Sequence, residues 1–204
     1  MISIINYGSG NISALKSSFK QLNIPVEEIS NPYNLNNTTH LILPGVGSFK
    51  TSMDLLNSSG FIQPLTEQVI LKEKKILGIC VGLQIMSLES EEAPSKKGLG
   101  WINASTIKVA DEEKKRKIIL PHMGWNSIKA KKDCPLLKGL DYKEFYFLHS
   151  YILKPNIISS VSSESYYGKQ FPSSFSEGNI YGTQFHPEKS HSQGLAILNN
   201  FANL

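Results

Sequence analysis

Arginine is all but missing from this chain: of 21 basic residues in 204, Arg116 is the lone arginine. Readers of nucleic acid lean on the forked guanidinium for bases and phosphates, so a formal charge of +4 does not point to a nucleic-acid partner. Cysteine is nearly as scarce. Cys80 and Cys134 cannot build the disulfide framework of a secreted scaffold, which points to a reducing compartment. No run approaches the ~18 consecutive apolar residues of a membrane span, so no membrane association is expected. The opening MISIINYGSGN has no basic stretch and reaches Gly8 early, unlike a secretory leader; a cytoplasmic location is expected. What is present is ordinary globular usage, 40% hydrophobic and 19% charged, which excludes a disordered chain.

The first half is punctuated as strand and helix in alternation. Ile2 to Tyr7 is short and β-branched, and after Gly8-Ser9-Gly10-Asn11 the residues Ile12, Leu15, Phe19 and Leu22 recur at helical spacing. Pro25 to Ile29 and Leu41 to Leu43 read as strands, Phe61 to Lys75 as a helix with Pro64 near its start, Ile76 to Cys80 as a strand, and Leu83 to Leu88 as the beginning of another helix. That order argues for an α/β fold with a mostly parallel central sheet flanked by helices. Further on, Trp101 to Val109, Ile118 to Leu120, Trp125 to Lys129, Phe145 to Leu153, Ile157 to Val161 and Ile180 to Phe185 are strand candidates with little helix between them. They predict antiparallel additions in the C-terminal half, closed by a helix over Leu195 to Phe201. The charge run Asp111 to Lys117 reads as a solvated hairpin tip. No repeat or linker divides the chain, so residues 1–204 are expected to form one domain.

Gly78-Ile79-Cys80-Val81-Gly82 is the sharpest chemical signal. A buried strand runs into a nucleophile-type residue with glycine two positions away on either side, and a helix follows. Such glycines make room for a tight elbow that lifts the side chain off the sheet, and a helix N-terminus favours a thiolate. Taken alone, the segment also fits a small buried apolar cysteine, and Cys134 has only that reading. A thiolate needs a base and a group that orients the base. His186 stands at the C-terminal end of a strand candidate, and Glu188, two residues on, points to the same side in extended backbone. An exposed loop histidine is the alternative. A metal set of His186, Glu188 and His191 has the wrong spacing, and no metal or cofactor is expected. Pro44-Gly45-Val46-Gly47 is either a plain turn or a source of backbone N–H groups for an oxyanion.

Together these segments resemble the class I, triad-type glutamine amidotransferases, and within them the glutaminase subunits of imidazole glycerol phosphate synthase. The matching stretches are Asn6 to Asn11, Pro44 to Phe49, the Cys80 elbow, Pro121-His122-Met123-Gly124-Trp125-Asn126, Tyr146 to Tyr151, and Gly182 to Ser190. They run in family order over nearly the whole chain. The resemblance implies Cys80 as nucleophile, His186 as base and Glu188 as its orienting group. It implies oxyanion donors at Val46, Gly47 and Val81. Gln84, Glu92, His149, Ser150 and Tyr151 would bind glutamine. Gly10, Asn11, Met123 and Trp125 would face a partner, the (βα)8 barrel cyclase subunit with which the family forms a heterodimer.

Two departures stand out: Asn6 where Asp is common, and Val81 and Leu83 where Leu and Met are common. Neither removes a catalytic atom. Both leave room for a paralogue that feeds ammonia to another acceptor, such as a sugar amidine pathway. A non-catalytic docking subunit and a free-standing cysteine hydrolase are the remaining alternatives. Intact Cys80, His186 and Glu188 argue against the first, and Gln84 with Glu92 against the second. Gly8-Ser9-Gly10-Asn11 lacks the lysine of a phosphate loop.

Overall fold

The computed structural model describes residues 1–110, 118–131 and 133–204, so the charge run read as a hairpin tip lies outside the described residues. An eight-stranded sheet forms the centre. In chain order its strands are β1 (Ile2–Ile5), β2 (Val26–Ile29), β3 (His40–Gly45), β4 (Lys75–Cys80), β8 (Lys129–Ala130), β11 (Val161–Tyr166), β12 (Gln170–Glu177) and β13 (Ile180–Thr183). Their spatial order is β2-β1-β3-β4-β13-β12-β11-β8. The run from β2 to β13 is parallel, and β12, β11 and β8 add to it antiparallel. Strands β1, β3 and β4 are almost entirely buried, as parallel strands covered on both faces must be. Helices α1 (Ile12–Gln21), α2 (Phe49–Ser58), α3 (Ile62–Thr66) and α5 (His191–Ala202), with the single turn α4 (Val81–Gln84), complete this part. Register sets the site: Gly45 pairs with Cys80, and Ile79 with Thr183, so three strands end side by side.

Several expected elements take another form. Strand β6 (Ala104–Lys108) lies between β10 (Tyr151–Pro155) and β5 (Glu89–Ser90) in a small separate sheet, and β7 (His122–Ser127) pairs with β9 (Glu144–His149) in another. They pack on the main sheet and do not extend it. The helix after Cys80 is one turn long, because Met86 and Ser87 close tight turns onto Leu83 and Gln84 before Leu88 joins Ala104. The helix expected over 61–75 ends at Leu71, its last turn widened so that Lys72 N–H reaches the Glu67 carbonyl. Ile118 to Leu120 joins no ladder, and Ile158–Ser160 is a turn of 3-10 helix leading into β11. Helix α2 lies where no element was expected. Ser48 caps it by accepting from Thr51 N–H at 3.1 Å, and Phe49, Met53 and Leu56 are its buried apolar stripe.

Candidate active site

Cys80 ends β4 with φ of 53°, a conformation a side-chain-bearing residue adopts only when its surroundings impose it. The constraint is steric: a Cβ on Gly82 would collide with the Leu43 carbonyl, so only glycine lets the elbow close against β3. The thiol is 3% exposed; it reaches the Leu148 carbonyl at 3.7 Å and accepts from Gln184 Nε2 at 3.7 Å. With α4 only one turn long, the helix dipole is small. The cation available to a thiolate is His186.

His186 and Glu188 are both buried, and His186 Nδ1 lies 2.9 Å from Glu188 Oε1. That leaves Nε2 as the ring nitrogen that serves Cys80. Burial alone would drive the His186 pKa down, but the negative charge of Cys80 and its hydrogen bond, then Glu188, outweigh it and raise the value to about 10. The groups on either side of the ring, Cys80 and Glu188, thus both favour its protonated form. His191, weighed for a metal set, turns away and stacks on Trp125 with centroids 5.1 Å apart.

A cavity of about 300 Å³ opens beside this pair, walled by Val46, Gly47, Gln84, Glu92, Leu148, His149, Ser150, Tyr151 and His186 among others. Gln84 Nε2 donates to the Tyr151 carbonyl at 2.8 Å and to Gln184 Oε1 at 3.1 Å. One oxygen of Glu92 accepts from Phe49 N–H at 2.7 Å at the start of α2, fixing a carboxylate in the wall. The turn at Val46 is held elsewhere. Its N–H donates to Ser9 Oγ at 3.1 Å, and the Ser9 hydroxyl donates to the Val46 carbonyl at 3.1 Å. In this conformation Val46 does not offer its N–H to the cavity. Val81 lies in the first turn of α4, where N–H groups have no intrahelical acceptor.

Gly10 is half-buried, with φ of +102° and no room for a Cβ against Pro44; Asn11 caps α1 by accepting from Ala14 N–H at 3.3 Å. Met123 and Trp125 share one face of β7 and are 65% and 45% exposed. Asn6 explains its own departure. Its amide donates to Glu28 Oε1 at 2.7 Å, which a carboxylate there would instead repel. Sequence reasoning missed Gln184 and Ser9. Gln184 carried one usable signal: it lies two residues before His186, on the same side of extended backbone.

A mostly parallel sheet, with a cysteine on a strand-to-helix elbow and a histidine–carboxylate pair beyond the neighbouring strand, defines a class. The chain belongs to the class-I glutamine amidotransferase family, whose model matches residues 3–204. Over its full length it is 40% identical to the imidazole glycerol phosphate synthase subunit HisH of Leptospira interrogans and 36% identical to subunit HisH 2 of Pseudomonas aeruginosa, each covered over 100% of both chains. Among solved structures it is similar to a glutamine amidotransferase, with a TM-score of 0.78 at 19% identity over 100% of this chain and 98% of that one. The glutaminase domain of Trypanosoma brucei CTPS with bound acivicin gives a TM-score of 0.65 at 10% identity over 99% and 93%. These structural likenesses concern the fold. Among the described residues, no helix is long and apolar enough to cross a membrane.

Proposed function

We propose that this protein is the glutaminase subunit of an imidazole glycerol phosphate synthase. It hydrolyses glutamine to glutamate and ammonia, and passes the ammonia to a (βα)8 barrel subunit that makes imidazole glycerol phosphate and aminoimidazole carboxamide ribotide in histidine biosynthesis. The observation that carries the reading is the buried His186–Glu188 pair, 2.9 Å apart, beside Cys80 and a cavity edged by Gln84 and Glu92. The Cys80 thiolate attacks the side-chain amide carbon of glutamine. The tetrahedral intermediate collapses as His186 Nε2 gives its proton to the departing nitrogen, and ammonia leaves behind a thioester. Water then gives a proton to His186 and attacks the thioester carbon, which releases glutamate and restores the thiolate. Glu188 holds the imidazole orientation throughout.

The N–H groups of Val81 and Gly47 stabilise the oxyanion, joined by Val46 once its bond to Ser9 is exchanged. Each such donor is worth about 2.7–4 kcal/mol of barrier, so the Val46 turn is suited to switch the rate. The exposed pair Met123 and Trp125, with Gly10 and Asn11, faces the barrel partner. Glutamate release by the chain alone, by its complex with the barrel, and by that complex with the barrel's ligand tests this. A rise from the first to the last is expected, and equal rates in all three exclude the switch. Relatives carrying numbered names, HisH 2 in Pseudomonas aeruginosa and HisH 1 in Campylobacter jejuni, favour one further reading, a paralogue serving another acceptor. A complex that releases ammonia but forms no imidazole glycerol phosphate supports that second reading.

A further inference from the structure

A chain of polar groups, buried at its two histidines and half-buried at its ends, leads from β7, whose other face carries Met123 and Trp125, to the cavity. Its members are Asn126, His122, His149 and Tyr151. His149 Nδ1 lies 3.1 Å from the Tyr151 carbonyl. A carbonyl only accepts, so Nδ1 of His149 carries the proton, and its Nε2 is left as an acceptor. His122 Nδ1 lies 2.9 Å from that Nε2 and therefore donates. The remaining nitrogen of His122 accepts from Asn126 Nδ2 at 3.4 Å, and the same amide donates to the Tyr166 carbonyl at 2.9 Å. Every donor thus has one acceptor only if both rings are neutral and in the same tautomer. Burial, and for His149 also the neighbouring charge of His122 and His186, lowers the pKa values to about 4 for His122 and about 3 for His149. The His122 ring is 3% exposed and stacks on Tyr167 and Phe147, with centroids 4.1 and 5.0 Å away. At the far end the Tyr151 carbonyl also receives Gln84 Nε2 at 2.8 Å.

We propose that His122 is a positioning residue for glutamine: its Nδ1–H fixes His149, and His149 in turn fixes the Tyr151 carbonyl shared with Gln84 in the cavity wall. This rests on the glutaminase reading of that cavity. Two substitutions in the complex with the barrel partner separate positioning from mere packing. His122→Phe keeps a flat stacking ring and loses the donor. His122→Asn loses the ring and keeps an amide N–H near the position of Nδ1. Loss of one such hydrogen bond should raise KM for glutamine about tenfold in His122→Phe, with kcat changed less. His122→Asn should return KM to within about threefold of wild type. Inactivation by acivicin, a glutamine-shaped electrophile, should slow in the same order, with iodoacetamide as the control for an intact thiol. The reverse order, or a wild-type KM in His122→Phe, overturns the proposal. Should neither variant fold, nitrogen NMR of the wild-type chain at pH 7 decides: both rings must be neutral Nδ1–H tautomers, and an Nε2–H tautomer at either overturns it. A wild-type complex without glutaminase activity instead overturns the functional reading.

Discussion

The two walls of the cavity differ in how firmly they are held. On one side His186 lines the cavity, backed by Cys80, Gln184 and the Glu188 side chain, all buried and held by one another, by Gln84 of α4 and by the Leu148 carbonyl. On the other, Val46 is 42% exposed and Gly47 adopts φ of +86° with open space around it. The charged apparatus is set by the packed core, which does not deform continuously. The turn at Val46 is held by Ser9, and Tyr7 anchors the Pro44 carbonyl before it at 2.7 Å. In the proposed reaction, the catalytic groups would thus be kept ready while the oxyanion donor is left adjustable. Such a division suits an enzyme whose product must not be released before its partner can use it.

The harshest way to break the comparison is to remove the rigid wall. Cys80→Ala should reduce glutamine hydrolysis about 10⁴-fold or more, since no other group forms the thioester, while the complex still uses ammonium salts. Glutamine-dependent turnover retained by this variant refutes the assignment of the nucleophile. His186→Ala should come close to the same loss. Glu188→Gln should be roughly a hundredfold milder, because it disturbs only the orientation and charge of the base. Steady-state kinetics that place Glu188→Gln below both others would reverse the roles.

How far the sequence reveals the two walls follows from how each is built. The elbow at Cys80 and the His186–Glu188 contact are hinted at by a local glycine frame and a spacing of two, which alone leave a buried cysteine and a loop histidine open; the family resemblance chooses between them. Strands β1, β3 and β4 are legible because burial on both faces leaves an unbroken apolar run. Strands β11 and β12 are not. They bury serines, and Ser163 Oγ meets Ser173 and Ser174 at 2.8 and 2.7 Å, so polar side chains satisfy one another where apolar alternation is expected. Helix α2 escapes notice because Lys50, Thr51, Ser52 and Asp54 dilute its stripe. Ser9 is invisible as a latch because its partner lies 37 residues away, and only the fold brings the two together.

The adjustable wall can be loosened on its own. Ser9→Ala deletes the acceptor that holds Val46 N–H, and an amide with no partner is free to turn toward the cavity. Glutamate release by the chain without its barrel should rise about threefold to tenfold, and activation by the barrel should shrink by the same factor. A fall in both measurements means that Ser9 secures the active form of the turn, which reverses the argument.

The smallest expected effect is on pH stability, where histidines around the site shift in opposite directions. His186 is raised from its ordinary 6.5 to about 10, so its contribution is complete below pH 6.5 and is lost as the pH climbs through 10. His122 and His149 are lowered to about 4 and 3; their contribution is present above pH 6.5 and is lost as the pH falls through those values. His122→Asn removes one of the two acid-sensitive histidines beside the cavity and leaves the alkaline one. Thermal unfolding should therefore show a smaller drop in Tm from pH 6.5 to 4 in the variant than in wild type, by about 2–4 °C. Between pH 7 and 10 the two proteins should lose stability in parallel, since His186 is common to both. Curves that run parallel on the acid side as well would mean that His122 is not held neutral by its burial.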